Sequence, residues 1–415
     1  METKILRNLD KIINEYLGES INSFLPEQNI KVLENNFSRV FTGEGNHEKI
    51  KEDPVFISAQ FRLLVDILIT LAKKSLSGSK YWDFLLVLGD ELRKMGNYQI
   101  AENIFNYFVS ELENTNQYPD FVANAYYLLG VIYYDQAVWD KSLEYLESAK
   151  RIFGKEKYNS GISTCTNLMG IIYGEKGEIE KAKNYFYQSL DIIDEEKEKY
   201  LYAKIHFNLG TLEMIKEELD NAFAQLNRAT TIYEQFGDQE SLARSNHNFG
   251  IINKLKSNYN IALNYYDNAI MIAVNSENLQ ILNIAFAEKA HVLTEINDLN
   301  LSASYVERSM QISNKINDVL TIADLYKIQG IIERKKSRFS KAEKYLSTSL
   351  RINKEKESKL NLAETFFEAG LLYLNWKKID EAKYHFNEAL KLKKEIGASQ
   401  SVEKINEILG KINPN

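Results

Sequence analysis

The chain has 415 residues, 44% of them hydrophobic and 26% charged, which suits a folded chain with a large core and excludes disorder as the default. Its net charge of −7 argues against a general nucleic-acid binder, which needs a basic face to displace phosphate counterions. A single cysteine, Cys165, leaves no internal disulfide framework and no cysteine-based zinc cluster, and it fits a reducing, cytoplasmic setting.

The first twenty residues alternate charged and apolar side chains without a continuous hydrophobic run, so no secretory leader is expected. Ile5, Leu6, Leu9, Ile12, Ile13, Tyr16 and Leu17 recur at helical spacing and predict one amphipathic helix. Ile30, Leu33, Phe37 and Phe41 predict a second, TGEGNHEKIKEDP reads as a polar connector, and Phe56 to Leu76 predict a third helix. The run VFISAQFRLLVDILITLA contains Gln60, Arg62 and Asp66, so it reads as a buried helix rather than a membrane span. Residues 1–80 are therefore expected to form an N-terminal helical region: a cap, a degenerate repeat or a small bundle.

Beyond this region the sequence becomes periodic. No proline occurs between Pro119 and Pro414, which favours helices throughout. Gly130, Gly170, Gly210, Gly250, Gly330, Gly370 and Gly410 fall on a grid of 40 residues, Ala290 fills its gap, and Gly89 precedes it by 41. Twelve residues after each of the first eight comes a small residue, Ala101, Ser142, Ala182, Ala222, Ala262, Ser302, Ala342 or Ala382. Sixteen after comes a large one, Phe105, Leu146, Phe186, Leu226, Tyr266, Val306, Leu346 or Phe386. The spacing of four between these two columns puts them on one helix face, opposite a glycine that lets a partner helix approach. An apolar residue nine after the glycine, such as Trp139, Leu219 or Ile379, marks the turn between the two helices.

These columns resemble the tetratricopeptide repeat, a helix-turn-helix unit with small residues at the same relative places. The 40-residue period is similar to that of the longer-helix members found in Pins/LGN scaffolds, MalT-like activators and Rap-like peptide-responsive regulators. The resemblance implies an all-α, right-handed superhelical solenoid of antiparallel helix pairs. Eight repeats are expected over residues 81–400, with residues 401–415 as a C-terminal capping helix that covers the last pair.

In the resembled family the first helix of each pair lines a concave groove that holds a peptide or helical segment of a partner. Carried over as geometry, this places Tyr127, Asn167, Phe207, His247, Lys327 and Phe367 three residues before their glycines, on the groove face. Lys204 and Arg244 lie six before, and Tyr134, Met214, Lys254 and Arg334 four after. Asn208 and Asn248 could hold an extended backbone through their amides. The resemblance therefore implies a non-enzymatic scaffold or adaptor, with a partner protein or peptide that carries acidic and apolar residues. The alternative it implies is a Rap-like peptide-sensing regulator whose N-terminal helices contact an effector.

Little else in the sequence suggests chemistry. His47, His206, His247, His291 and His385 never pair at the spacing of a helical metal site, so neither metal nor cofactor is expected. Cys165 falls in a column of small and apolar residues and reads as packing. The basic RKKSRFSK segment, Arg334 to Lys341, straddles a helix C-terminus, where cations complement the dipole. No nucleic acid or membrane partner is expected, and the sequence leaves the oligomeric state open. The many asparagines and lysines suggest a bacterial source.

Overall fold

Each predicted turn holds a residue in the left-handed backbone region, and that residue sets the hairpin geometry. Seven residues after the repeat glycine, Ala137, Glu217, Ser257, Ser337 and Lys377 all have φ near +60°, as does Asn297 after Ala290, and Gly96 and Gly177 take the same place in their repeats. The residue after it donates its N–H to a carbonyl five residues back, as in Val138 to Tyr133 at 2.8 Å and Glu218 to Glu213 at 2.9 Å. This closes the preceding helix in a Schellman turn, so the backbone itself satisfies the exposed carbonyls.

The computed structural model describes residues 2–18, 54–113, 115 and 117–412. Among these the chain is all helix, in consecutive pairs. The helices α1 (Glu2–Leu17) and α2 (Pro54–Ser75) come first. The eight pairs are α3 (Ser79–Lys94) with α4 (Tyr98–Leu112), α5 (Pro119–Asp135) with α6 (Trp139–Lys155), α7 (Asn159–Glu175) with α8 (Ile179–Ile192), and α9 (Lys199–Ile215) with α10 (Leu219–Phe236). They continue as α11 (Gln239–Leu255) with α12 (Tyr259–Asn275), α13 (Leu279–Glu295) with α14 (Leu299–Ile316), α15 (Val319–Lys335) with α16 (Phe339–Glu355), and α17 (Lys359–Asn375) with α18 (Ile379–Ile396). A final helix, α19 (Ser399–Ile412), follows. The helix expected over Ile30 to Phe41 and the connector after it lie outside the described residues.

The glycine columns act as expected, with one refinement. A Cβ on Gly130 would lie 2.9 Å from the Leu146 side chain, and one on Gly210, Gly330 or Gly370 would meet Leu226, Leu346 or Phe386 at 2.6 to 2.8 Å. The glycine therefore makes room mainly for the large residue sixteen positions on, and the small residue at twelve lets the backbones close in behind it. Where that small residue is serine it also bonds across the hairpin: Ser142 Oγ and Ser302 Oγ each donate to the carbonyl of their repeat's first column, Gly130 and Ala290, at 2.7 Å.

The chain divides into two units, Met1–Lys176 with Asn184–Asp194, and Gly177–Lys183 with Glu195–Asn415. The division falls beside the connection that follows the short α8. In the first unit α1 docks on α3, with Tyr16 donating to Asp83 at 2.6 Å and its ring edge-on to Phe84. In the second unit the last helices return to the first pair. Ile215 packs with Ala363, Ile396 and Ala398, and the Glu217 carboxylate caps α19 by accepting the Ser401 N–H at 2.7 Å. Ser401 Oγ donates to the same carboxylate, and Gln400 donates to the Glu217 carbonyl at 3.0 Å. Among the described residues no helix is long and apolar enough to cross a membrane.

Candidate functional site

In the second unit the first helices of four successive pairs, α11, α13, α15 and α17, face a cavity of about 400 Å³, with the Glu217 turn and α19 on its rim. Ion pairs tie α11 to α13 and α15 to α17 along its walls. Lys254 Nζ lies 2.6 Å from Glu288, Lys327 Nζ 2.6 Å from Glu364, and Arg334 Nη2 2.8 Å from Glu368. Lys327 also reaches Asp324 at 3.1 Å and is only 4% exposed. A cation withdrawn this far from water needs a carboxylate partner, which explains why every one of these charges is matched.

The electrostatics follow from that pairing. Burial alone would raise the Glu288 carboxyl, but Lys254, paired with it at 2.6 Å, outweighs this and holds it at about 2. Glu364 is likewise held well below the usual carboxylate range against its burial, chiefly by Lys327. Lys327 is pushed up despite desolvation, because Asp324 and Glu364 both face it. Of these two carboxylates Asp324 is the weaker partner, and its burial pushes it up. Desolvation and the nearby Lys254 lower His291 to about 3, so it sits in the wall as a neutral imidazole. One stretch of the wall is apolar, formed by Phe367, Leu371 and Ile405, with Lys404 Nζ 5.1 Å from the Phe367 ring centre. Fixed charges beside an apolar patch can orient a chain with both kinds of group.

The structure brings together only some of the residues expected from sequence. Lys254, Lys327, Arg334 and Phe367 line the cavity. Lys204, Phe207, Asn208 and Met214 lie on α9, and Arg244, His247 and Asn248 on α11, none of them among its lining residues. The cations among these residues are already engaged. Lys204 Nζ sits 4.8 Å over the Tyr200 ring, Arg244 pairs within its own helix with Glu240 at 2.9 Å, and Lys254, Lys327 and Arg334 are paired as above. Met214 is buried in a cluster with Leu219 and Phe249, and Asn248 is buried and donates to Thr211 at 3.2 Å. His247 lies against Asn248 and the Tyr266 ring. In the first unit Tyr127 packs in the core around Leu146 and Cys165, Asn167 is buried, and the Tyr134 ring lies 5.7 Å from Trp139.

Sequence reasoning missed Glu217, Lys393, Ser401 and Lys404. They reach the cavity only because α18 and α19 return to a turn more than 180 residues earlier, which no periodicity announces. The counterions Glu288 and Glu368 left a fainter signal: two glutamates in a column otherwise held by asparagine and apolar residues. Among the described residues no group of three His, Cys, Asp or Glu side chains is arranged to hold a metal.

Family models for the tetratricopeptide repeat match residues 121–195 and 363–396. No curated protein matches the chain by sequence. Among solved structures, the chain is similar to a Rap protein complexed with Competence and Sporulation Factor, at 14% identity and a TM-score of 0.62, covering 91% of this chain and 100% of that one. It is also similar to aspartyl phosphate phosphatase F from Bacillus subtilis, at 13% identity and a TM-score of 0.58, covering 89% and 94%. A third similar structure is the apo quorum sensor NprR from B. thuringiensis, at 14% identity and a TM-score of 0.55, covering 88% and 99%. At such low identity these likenesses speak for the fold alone. The 40-residue packing columns, the hairpins they build and the family models over residues 121–195 and 363–396 agree on one architecture: an all-helical array of tetratricopeptide-type repeats.

Proposed function

We propose that the chain is a non-enzymatic protein-interaction adaptor that holds a peptide or helical segment of a partner in the cavity bounded by α11, α13, α15, α17 and α19. The observation that carries this reading is the cavity wall itself, where inter-repeat ion pairs fix charged groups beside the apolar patch of Phe367, Leu371 and Ile405. A preformed, partly apolar cleft with a few fixed polar groups is the usual form of a ligand site. The likeness to a Rap protein complexed with Competence and Sporulation Factor and to the quorum sensor NprR supports a sensing role.

A random-peptide display selection on the wild-type protein and on a folded Phe367→Asp variant tests the reading. Sequences enriched by the wild type and lost from the variant support it. Identical enrichment by both overturns the placement of the site.

A second reading makes the chain a Rap-like regulator whose N-terminal helices contact an effector. The docking of α1 on the first pair through Tyr16 favours it, because it ties that region to the repeats. Added peptide that changes hydrogen-exchange protection in α1 supports this reading, and unchanged protection at saturation refutes it.

A further inference from the structure

A separate cavity of about 500 Å³ lies between α14, α15 and α16, away from the groove. Its origin is visible when the repeats are compared with one another. In the α5/α6 pair the Tyr145 ring is flanked on one side by Tyr126, 6.2 Å away, and on the other by Tyr133, stacked at 5.4 Å. In the α17/α18 pair His385 is flanked in the same way by Phe366 at 5.7 Å and Tyr373 at 5.0 Å. The third ring also ties down the preceding second helix: Tyr133 donates to Glu102 at 2.6 Å and Tyr373 to Glu343 at 2.7 Å.

The α15/α16 pair has only two members of this stack. Tyr345 keeps its neighbour Tyr326 at 6.1 Å, but the position of Tyr133 and Tyr373, three residues after the repeat glycine, holds Glu333. The space of the absent ring is the cavity, which Tyr345 and Glu333 both line. Glu333 is only 7% exposed, and its Oε2 has no hydrogen-bond partner. Gln329, one helical turn earlier and also lining the cavity, has a buried Oε1 without a partner. Two buried acceptors left unbonded are costly, and a ligand with donors removes that cost.

We propose that this cavity is a binding site for a planar guanidinium group, such as an arginine side chain, stacked on Tyr345 and donating to Glu333 and Gln329. A guanidinium is flat enough to replace the absent ring, and it carries the positive charge and forked N–H donors that the two acceptors lack. Glu307 adds a second carboxylate to the wall. The cations nearby do not fill the role. Arg338 and Lys341 approach Glu333 at 3.6 and 3.5 Å, and Lys341 Nζ also lies 5.8 Å from the Tyr345 ring centre, but both side chains are more than half exposed, where solvent screens them, and neither hydrogen-bonds Glu333 Oε2; Lys336 lies on the lining. A phenol is the poorer occupant, because Ala303 stands thirty residues before Glu333, where Glu343 stands before Tyr373 to accept its hydroxyl.

The test is an NMR titration of the full chain with ring-labelled tyrosine, using N-acetyl-arginine amide as probe and N-acetyl-lysine amide as control. The arginine probe is expected to shift the Tyr345 signals saturably, with the lysine probe weaker by about tenfold, the cost of losing the planar, forked donor set and its stack on the ring. Glu333→Gln should weaken arginine binding by a similar factor. Glu333→Tyr, which introduces the ring that Tyr133 and Tyr373 supply in their pairs, should fold and abolish it. An arginine-containing tripeptide that binds more tightly than free arginine identifies a partner segment as the source, and the reverse order identifies a small molecule. A wild-type Tyr345 that does not respond to any arginine probe, or a Glu333→Tyr protein that binds as well as wild type, overturns the proposal.

Discussion

Replacing Gly250 by alanine adds a single carbon, and the structure says where it goes. A Cβ there would lie 2.7 and 2.8 Å from Cδ1 and Cζ of Tyr266, and closer still to Cε1, where ordinary contact needs well over 3 Å. Tyr266 cannot swing aside cheaply, because its ring is fully buried and its hydroxyl lies 3.4 Å from Glu288. Overpacking of this kind costs about 1–3 kcal/mol. Alanine in a helix recovers up to about 1 kcal/mol of backbone propensity, so from the middle of that range the net loss should be about 1 kcal/mol. Gly154 and Gly410 are the controls. Both are helical with nothing within 4 Å of the added carbon, and alanine there should stabilise by up to about 1 kcal/mol. Urea titrations followed by circular dichroism read the midpoints. If Gly250→Ala matched or exceeded wild type, or if Gly154→Ala lost as much as Gly250→Ala, the packing role given to the glycine column would be refuted.

Glu217→Ala should remove the cap on α19 and leave the Ser401 N–H unbonded, costing about 1–3 kcal/mol, with hydrogen-exchange protection falling in 399–412; unchanged protection there would contradict the capping role. Lys327→Met leaves the half-buried Glu364 and Asp324 without their cation and should cost about 1–3 kcal/mol by denaturant titration, whereas no measurable loss would mean that the pair is solvated. The protein should weaken in acid. The folded His291 resists protonation until about pH 3 while an unfolded imidazole takes a proton near 6.5, so its contribution is whole above 6.5 and is lost as the pH falls. Glu288, held at about 2 against an ordinary 4.5, loses its contribution at lower pH in the same direction. Between pH 6.5 and 5 the stability slope should therefore be reduced in His291→Gln by up to about 1.4 kcal/mol per pH unit, and an unchanged slope would show that His291 titrates normally.

The hairpins could be read from sequence because they rest on size at fixed spacings: Gly210 against Leu226, or Gly370 against Phe386, needs no distant partner. Gly410 shows the limit of such reading. It keeps the 40-residue grid, but nothing crowds its backbone. The left-handed turn residues were hidden for a different reason. Glu217, Ser257 and Lys377 are poor markers of positive φ, and the Schellman hydrogen bonds hold them there without a glycine. For the site, helix face alone picked out Lys254, Lys327, Arg334 and Phe367. It could not tell a cation waiting for a ligand from one already matched, since the match comes from the neighbouring repeat. Nor could it find the closing contacts at Ser401 and Lys404.

An ordinary repeat array behaves as a line: each pair leans on its two neighbours, and the last one frays first. In the second unit the Glu217 turn grips α19, while Ile215 shares a cluster with Ala363 and Ile396, so the end of the line is fastened to its beginning. Fraying from that end then requires two interfaces to open together. Deleting residues 399–412 should loosen α9 and α10, some 180 residues upstream, as much as it loosens the adjacent α18.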